Sequence, residues 1–258
     1  MKKKPISAAF DQGEVPTIAC FNQATIDPGV DFNKLIAAMQ AYVDRHVAPV
    51  WGTPAKLLKT KGFVKNAWAM VLLDDADQPG ALACHDLTPD GFPLAKVFVR
   101  TTLANHDLVS VSASHELVEM LVDPAINLMS TGPDAGTMYA YESADAVEAL
   151  SFEVNGIPMS DFAYPSYFEV FRKRGSTRFD HLNKVKKPFE ILPDGYQIVF
   201  KDGAWTEIFG SRTRARRFAR EDRRGHRSES RGRPLRRTSA EGVARACRGG
   251  VRTTRRAA

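Results

Sequence analysis

Ser112-Ala113-Ser114-His115-Glu116-Leu117-Val118-Glu119-Met120-Leu121-Val122-Asp123-Pro124 is the stretch on which the reading of this chain turns. Ala113, Leu117, Met120 and Leu121 recur at spacings of three and four or fall beside such positions, the signature of an amphipathic helix. Pro124 ends it, because the residue before a proline is pushed out of helical geometry. At 3.6 residues per turn, His115 and Glu119 stand about 40° apart on one face, a turn above one another, with Glu116 at the edge of that face. An imidazole and a carboxylate in that arrangement suit zinc, iron or manganese, and two helix donors plus one remote donor leave a position open for water. The pattern departs from His-Glu-x-x-His at one place, where Glu119 replaces the second imidazole. The competing reading is a polar helix face turned to solvent.

A third donor has to come from elsewhere in the chain. Tyr141-Glu142-Ser143-Ala144-Asp145-Ala146-Val147-Glu148 offers Glu142, Asp145 and Glu148 at intervals of three. A strand entering at Tyr139–Tyr141 would bring Glu142 or Asp145 against the helix face. Alone, the same run reads equally as a solvated turn or a helix start. His85, at a strand end before the turn Thr88-Pro89-Asp90-Gly91, reads as a surface histidine, with a substrate-facing or ligand-orienting role as the alternative. His106 precedes the helix, where Asn105 or Asp107 is expected to cap it. Asp123 is expected to close the helix end or to orient a ligand histidine. Tyr164 and Tyr167 read as packing residues that could alternatively donate to an oxyanion. Ser112, Ser114 and Ser160 lack the flanking glycines of a nucleophile elbow.

Around this helix the chain alternates strands and helices without a regular βαβ rhythm, so the expected class is α+β. Strands are read at Val15–Phe21, Ala67–Leu73, Ala81–His85, Ala95–Val99, Met138–Glu142 and Ser151–Val154, the last turning at Asn155-Gly156. A hairpin pairs Tyr196–Phe200 with Trp205–Phe209 through Lys201-Asp202-Gly203. Leu35, Ile36, Met39, Tyr42, Val43 and Val47 mark a long helix from Phe32 to Val47, ended by Pro49. The motif helix is read from Asp107 to Val122.

Composition bounds the remaining possibilities. Of the 258 residues, 43% are hydrophobic, enough for a sizeable core. Cys20, Cys84 and Cys247 form no CxxC pair and read as free thiols in a reducing compartment. No apolar run reaches the ~18 residues of a membrane span. Met1-Lys2-Lys3-Lys4 is followed by too short an apolar run for a typical secretion signal. A cytoplasmic location is therefore expected, with export by a route lacking a cleaved signal as the alternative.

The overall charge of +6 conceals a split. From Gly210 to Ala258 there are 17 arginines and no lysine against four acids, a net of +13 that leaves −7 on the residues before Gly210. Residues 211–258 have almost no apolar periodicity and are expected to be disordered, with a short helix over Arg212–Arg224 as an option. Arginine without interleaved aromatics permits salt-sensitive contact with nucleic-acid phosphates but no base stacking. A solvated extension is the plainer reading. The domain organisation expected is a flexible segment 1–14, one domain 15–210 and the basic tail 211–258.

Ser114-His115-Glu116-Leu117-Val118-Glu119 with Asp123-Pro124, the Tyr141–Glu148 segment and Val154–Phe168, including Ser160-Asp161-Phe162 and Pro165-Ser166-Tyr167-Phe168, together resemble a little-studied bacterial zincin-like family. The likeness extends over Gly80–Val97 and the Gly195–Phe209 hairpin, and so covers residues 15–210. It implies a zincin-type core: a mixed sheet, a long helix before it and a metal-binding helix beneath. It implies His115 and Glu119 as ligands, Glu142 as the first choice of third ligand with Asp145 as the alternate, and Glu116 as general base. Zinc is the metal implied, and the extra carboxylate at Glu119, which lowers Lewis acidity, makes manganese or iron the alternatives. The function expected is a metal-dependent hydrolase, a peptidase or amidase acting on a peptide or protein substrate. The alternatives are a non-catalytic metal-binding domain and a nucleic-acid-associated protein acting through residues 211–258. No membrane partner is expected.

Overall fold

The computed structural model describes residues 15–77 and 81–212. The class is α+β: three separate sheets and few helices. The expectations for residues 1–14, and for residues 213–258 with most of the optional Arg212–Arg224 helix, lie outside the described residues.

The largest sheet has five strands, β1 (Thr17–Asn22), β2 (Lys56–Lys59), β3 (Trp68–Leu73), β4 (Ala83–Leu87) and β5 (Pro93–Phe98), in the order β2-β1-β3-β5-β4. All neighbours run parallel except the outermost strand β4, which is antiparallel to β5. β2 carries Lys56-Leu57-Leu58-Lys59, too short and too charged to stand out as a strand in the sequence. Ile18, Cys20, Trp68, Met70, Leu72, Ala95 and Val97 point to one face and form the main core with the helices. Phe21, Ala69, Val71 and Leu94 pack together on the other. That split is the period-2 alternation of a strand.

The long helix covers that main face, but not as the sequence reading had it. α1 (Phe32–Tyr42) is capped by Asp31, whose carboxylate accepts from the Lys34 N–H at 2.9 Å. A wide π turn at Val43–Val47 follows, and the chain stays helical through Pro49 in α2 (Ala48–Trp51). Proline does not end the helix because Pro49 falls in the first turn of α2, where its missing N–H costs little. Gly52, at φ +70°, closes α2 in the left-handed conformation.

A short helix, α3 (Val99–Ala104), which the sequence reading lacked, leads from β5 into α4 (Val109–Val122). α4 begins two residues later than expected, and neither Asn105 nor Asp107 caps it: Leu108 holds that position without a side-chain bond. Asn105 instead terminates α3, donating from its side chain to the Thr101 carbonyl at 3.0 Å. α4 lies against β4, β5 and the hairpin strand Ile157–Ser160.

Beyond α4 the chain forms β6 (Met129–Thr131), β7 (Met138–Ala140), the hairpin β8 (Ser151–Val154) with β9 (Ile157–Ser160), and β10 (Tyr196–Lys201) with β11 (Ala204–Phe209). The second sheet runs β11-β10-β7-β6, all antiparallel. Both two-residue hairpin loops, Asn155-Gly156 and Asp202-Gly203, hold positive φ at each central residue, which matches the twist of the strands they join. No helix among the described residues is long and apolar enough to cross a membrane.

Candidate metal centre

Thirteen of the fourteen residues of α4 are buried, so the polar face of this helix looks into the protein and not into water. The solvated-face reading is thereby excluded, and each polar group on α4 needs a partner. Ser114 meets that need by tying two elements together. Its hydroxyl donates to the Ser110 carbonyl at 2.8 Å and accepts from the Ser160 N–H at 2.8 Å, which fixes α4 against β9. Asp123 closes the helix end as expected: its two oxygens accept from the Asn127 and Leu128 N–H groups at 3.0 and 2.9 Å.

His115, Glu116 and Glu119 meet residues from two other elements. After β7, the loop from Tyr141 enters a 3₁₀ turn at Asp145–Val147. This places the fully buried Asp145 beside the helix, with its Oδ1 at 3.2 Å from His115 Nε2. Glu119 Oε1 lies 3.4 Å from the same nitrogen and accepts from the Ala144 N–H at 3.2 Å. His115, Glu119 and Asp145 thus form one compact buried group able to hold a metal ion.

A second group forms on the other oxygen of Glu119. His85 Nδ1 lies 3.3 Å from Glu116 Oε2 and 3.4 Å from Glu119 Oε2, and these three residues also make a buried group able to hold a metal ion. Glu142, the first choice of third ligand, belongs to neither group. It is buried, with Oε2 3.8 Å from His85 Nε2, behind the imidazole.

The sequence reading did not place His85 in the centre, and the surface reading of it is wrong: the residue is 3% exposed. The reason is register. In the antiparallel β4–β5 pair His85 stands opposite Ala95, whose side chain belongs to the core beneath α4. Directly opposed residues share a face, so His85 faces α4 as well. Cys84, opposite Lys96, faces away, where the Lys96 ammonium meets Asp77 at 2.5 Å. Alternation along Ala83-Cys84-His85 carried this signal, but reading it requires knowing which face of β4 is covered.

The electrostatics follow from burial against charge. Burial pulls the His85 imidazole down, but the adjacent Glu116 and Glu119 carboxylates and the nearby Glu142 outweigh it and hold its pKa up at about 10. His115 is likewise pulled down by burial, and the charge of Glu119, the bond to Asp145 and the charge of Glu116 raise it well above the ordinary value.

The spacing of the donors is compatible with a metal shell. Charge-assisted N–H···O contacts close to about 2.7–2.9 Å. The edges of a tetrahedron around a cation with bonds of 2.0–2.1 Å are about 3.3–3.4 Å long. His115–Glu119 at 3.4 Å falls at the second length, and His115–Asp145 at 3.2 Å lies between the two.

The remaining candidates lie elsewhere. His106 is exposed, at φ +62°. Tyr167 is fully buried in a separate aromatic core with Phe168 and Phe189. The Tyr164 hydroxyl pairs with His181 Nδ1 at 3.1 Å, and His181 Nε2 faces His46 Nδ1 at 3.1 Å. No protein-family model, curated protein or solved structure matches this chain.

Proposed function

We propose that this protein is a metal-dependent hydrolase of the zincin type, acting on peptide or amide bonds, with His115, Glu119 and Asp145 holding the cation. The carrying observation is the buried His115–Glu119–Asp145 group, whose two donor oxygens stand 3.4 and 3.2 Å from His115 Nε2 and whose donor atoms all lie within 4.8 Å of one another. One imidazole and two carboxylates suit zinc, with manganese or iron as alternatives, because borderline first-row cations accept mixed nitrogen and oxygen donors. Asp145 serves here in place of Glu142. The cation would polarise the scissile carbonyl and make water more acidic.

The rest of the chemistry falls to side chains. Glu116 is adjacent to the donor set in sequence and in space, and takes the proton from the attacking water before passing it to the leaving amine. The His115 side chain, 10% exposed, is the most open of the set, so substrate approaches from its side. β4 is the outermost strand of the large sheet, and an extended peptide laid along it would run past His85 toward the centre. The five-stranded order with one antiparallel outer strand above a donor-bearing helix supports the zincin reading at the level of architecture. The near-complete burial of the donors favours a second reading, a structural ion in a non-catalytic domain.

Glu116→Gln separates the two readings. In a broad peptide and amide cleavage screen, the variant is expected to retain a cation on the His115 group and to lose at least about 100-fold in rate, the usual scale of a general base. Unchanged cleavage with the cation retained would refute the mechanism. Absence of any cleavage by wild-type protein carrying the cation would leave the structural ion as the function.

A further inference from the structure

We propose that the centre holds two divalent cations, with Glu119 bridging them and His85 and Glu116 completing the second position. This rests on the preceding assignment through one residue, Glu119, and extends it to a site on a different strand.

Four observations converge. The two oxygens of Glu119 face different imidazoles at equal range: Oε1 is 3.4 Å from His115 Nε2, and Oε2 is 3.4 Å from His85 Nδ1. A carboxylate with one oxygen in each of two donor groups is the arrangement that bridges a cation pair about 3.5–4 Å apart. Two edges of the second group, 3.3 Å to Glu116 and 3.4 Å to Glu119, are close to the 3.2 and 3.4 Å of the first, and close to the ~3.3–3.4 Å of a coordination shell.

The third observation is the far side of His85. Its Nε2 is buried and has no hydrogen-bond partner among the described residues, and the nearest carboxylate oxygen, on Glu142, stands 3.8 Å away. The front nitrogen, Nδ1, faces the Glu116 and Glu119 carboxylates at 3.3 and 3.4 Å, where a cation would take its lone pair. Glu142, at 3.8 Å, is beyond hydrogen-bond range of Nε2 and belongs to neither donor group.

The fourth is charge. Glu116, Glu119, Glu142 and Asp145 are each at most 3% exposed. Ionised carboxylates cost several kcal/mol each to bury without compensation. One dication matches two of these four negative charges, and two dications match them all. The mixed imidazole and carboxylate donors select first-row cations such as manganese, iron or zinc over calcium or magnesium, which prefer oxygen alone. With the second position filled, Glu116 is a ligand; with it empty, Glu116 is free to accept a proton. Occupancy of the His85 position therefore decides which role Glu116 plays.

The test uses the full chain, stripped with a chelator and titrated with Mn(II), with bound metal counted by elemental analysis and the spin state followed by electron paramagnetic resonance. Two equivalents per chain are expected, with a spectrum of isolated ions at one equivalent giving way to an exchange-coupled one at two. His85→Gln is expected to reduce the count from two to one and abolish the coupled spectrum. One equivalent in the wild type, lost in His115→Gln but not in His85→Gln, would overturn the second site and leave the first. Two equivalents without coupling, or two retained in His85→Gln, would overturn the bridge. No binding by the wild type would sink both assignments. The wild-type count and spectrum decide the matter even where a variant fails to fold.

Discussion

A glutamate at position 119, where His-Glu-x-x-His would put an imidazole, changes what that place on the helix can do. An imidazole facing the cluster presents one nitrogen, whereas the Glu119 carboxylate reaches both His115 and His85, one oxygen to each. The substitution read in the sequence as a weakening of Lewis acidity is, on the proposed assignment, what allows a second cation. A different residue contributes to the response to acid. Burial, with the positive charges of His46 and Arg178 beside it, pushes His181 down to about 4 from an ordinary value of 6.5. The imidazole stays neutral in the folded chain while the unfolded chain takes up a proton, so stability falls as pH drops from about 6.5 to about 4. His181→Gln removes that proton uptake. The fall in melting temperature between pH 7.5 and 4.5 is expected to be smaller in the variant than in the wild type, and equal falls would refute the claim.

Each element at the centre is held by a contact that its own sequence does not announce. Ser114 reads as a failed nucleophile and is instead the pin between α4 and β9. The Asp145 turn is held from behind by Gly195, which precedes β10: a Cβ added there would collide with the Ala146 carbonyl, and Leu192 N–H donates to that same carbonyl at 3.1 Å. Gly195→Ala is therefore expected to destabilise the fold by about 1–3 kcal/mol, the range for overpacking a tight site. By displacing the turn it should also weaken cation binding at the His115 group. Urea denaturation checks the first effect and metal titration the second, and an unchanged midpoint would show that the turn does not rest on Gly195. The helix over Phe32–Val47 was legible because its apolar residues recur at helical spacing. Its continuation through Pro49 was not, because a π turn leaves no mark in hydrophobic periodicity.

Across the whole molecule, the proposed cation binding would be coupled to folding, since the two donor groups draw on β4, α4 and the turn after β7, which meet only when the chain is folded. A cation at 100 times its dissociation constant adds about 2.7 kcal/mol of stability. For a domain of this size that raises the melting temperature by about 5–10 °C, and a chelator should reverse the gain. No shift with manganese, iron or zinc would remove the metal assignment. The sequence by itself determined the α+β class, most of the strands, and the face of α4 that carries His115, Glu116 and Glu119, because these depend on local periodicity and on turn residues such as Asn155-Gly156 and Asp202-Gly203. It narrowed the third donor to Glu142 or Asp145 without choosing between them, since residues three apart near a 3₁₀ turn differ in direction by an amount that only the docked loop sets. It missed His85, because the face a strand residue occupies is fixed by register with its neighbour: pairing with Ala95 on β5 turns that imidazole toward α4, and a shift of one residue would have turned it away.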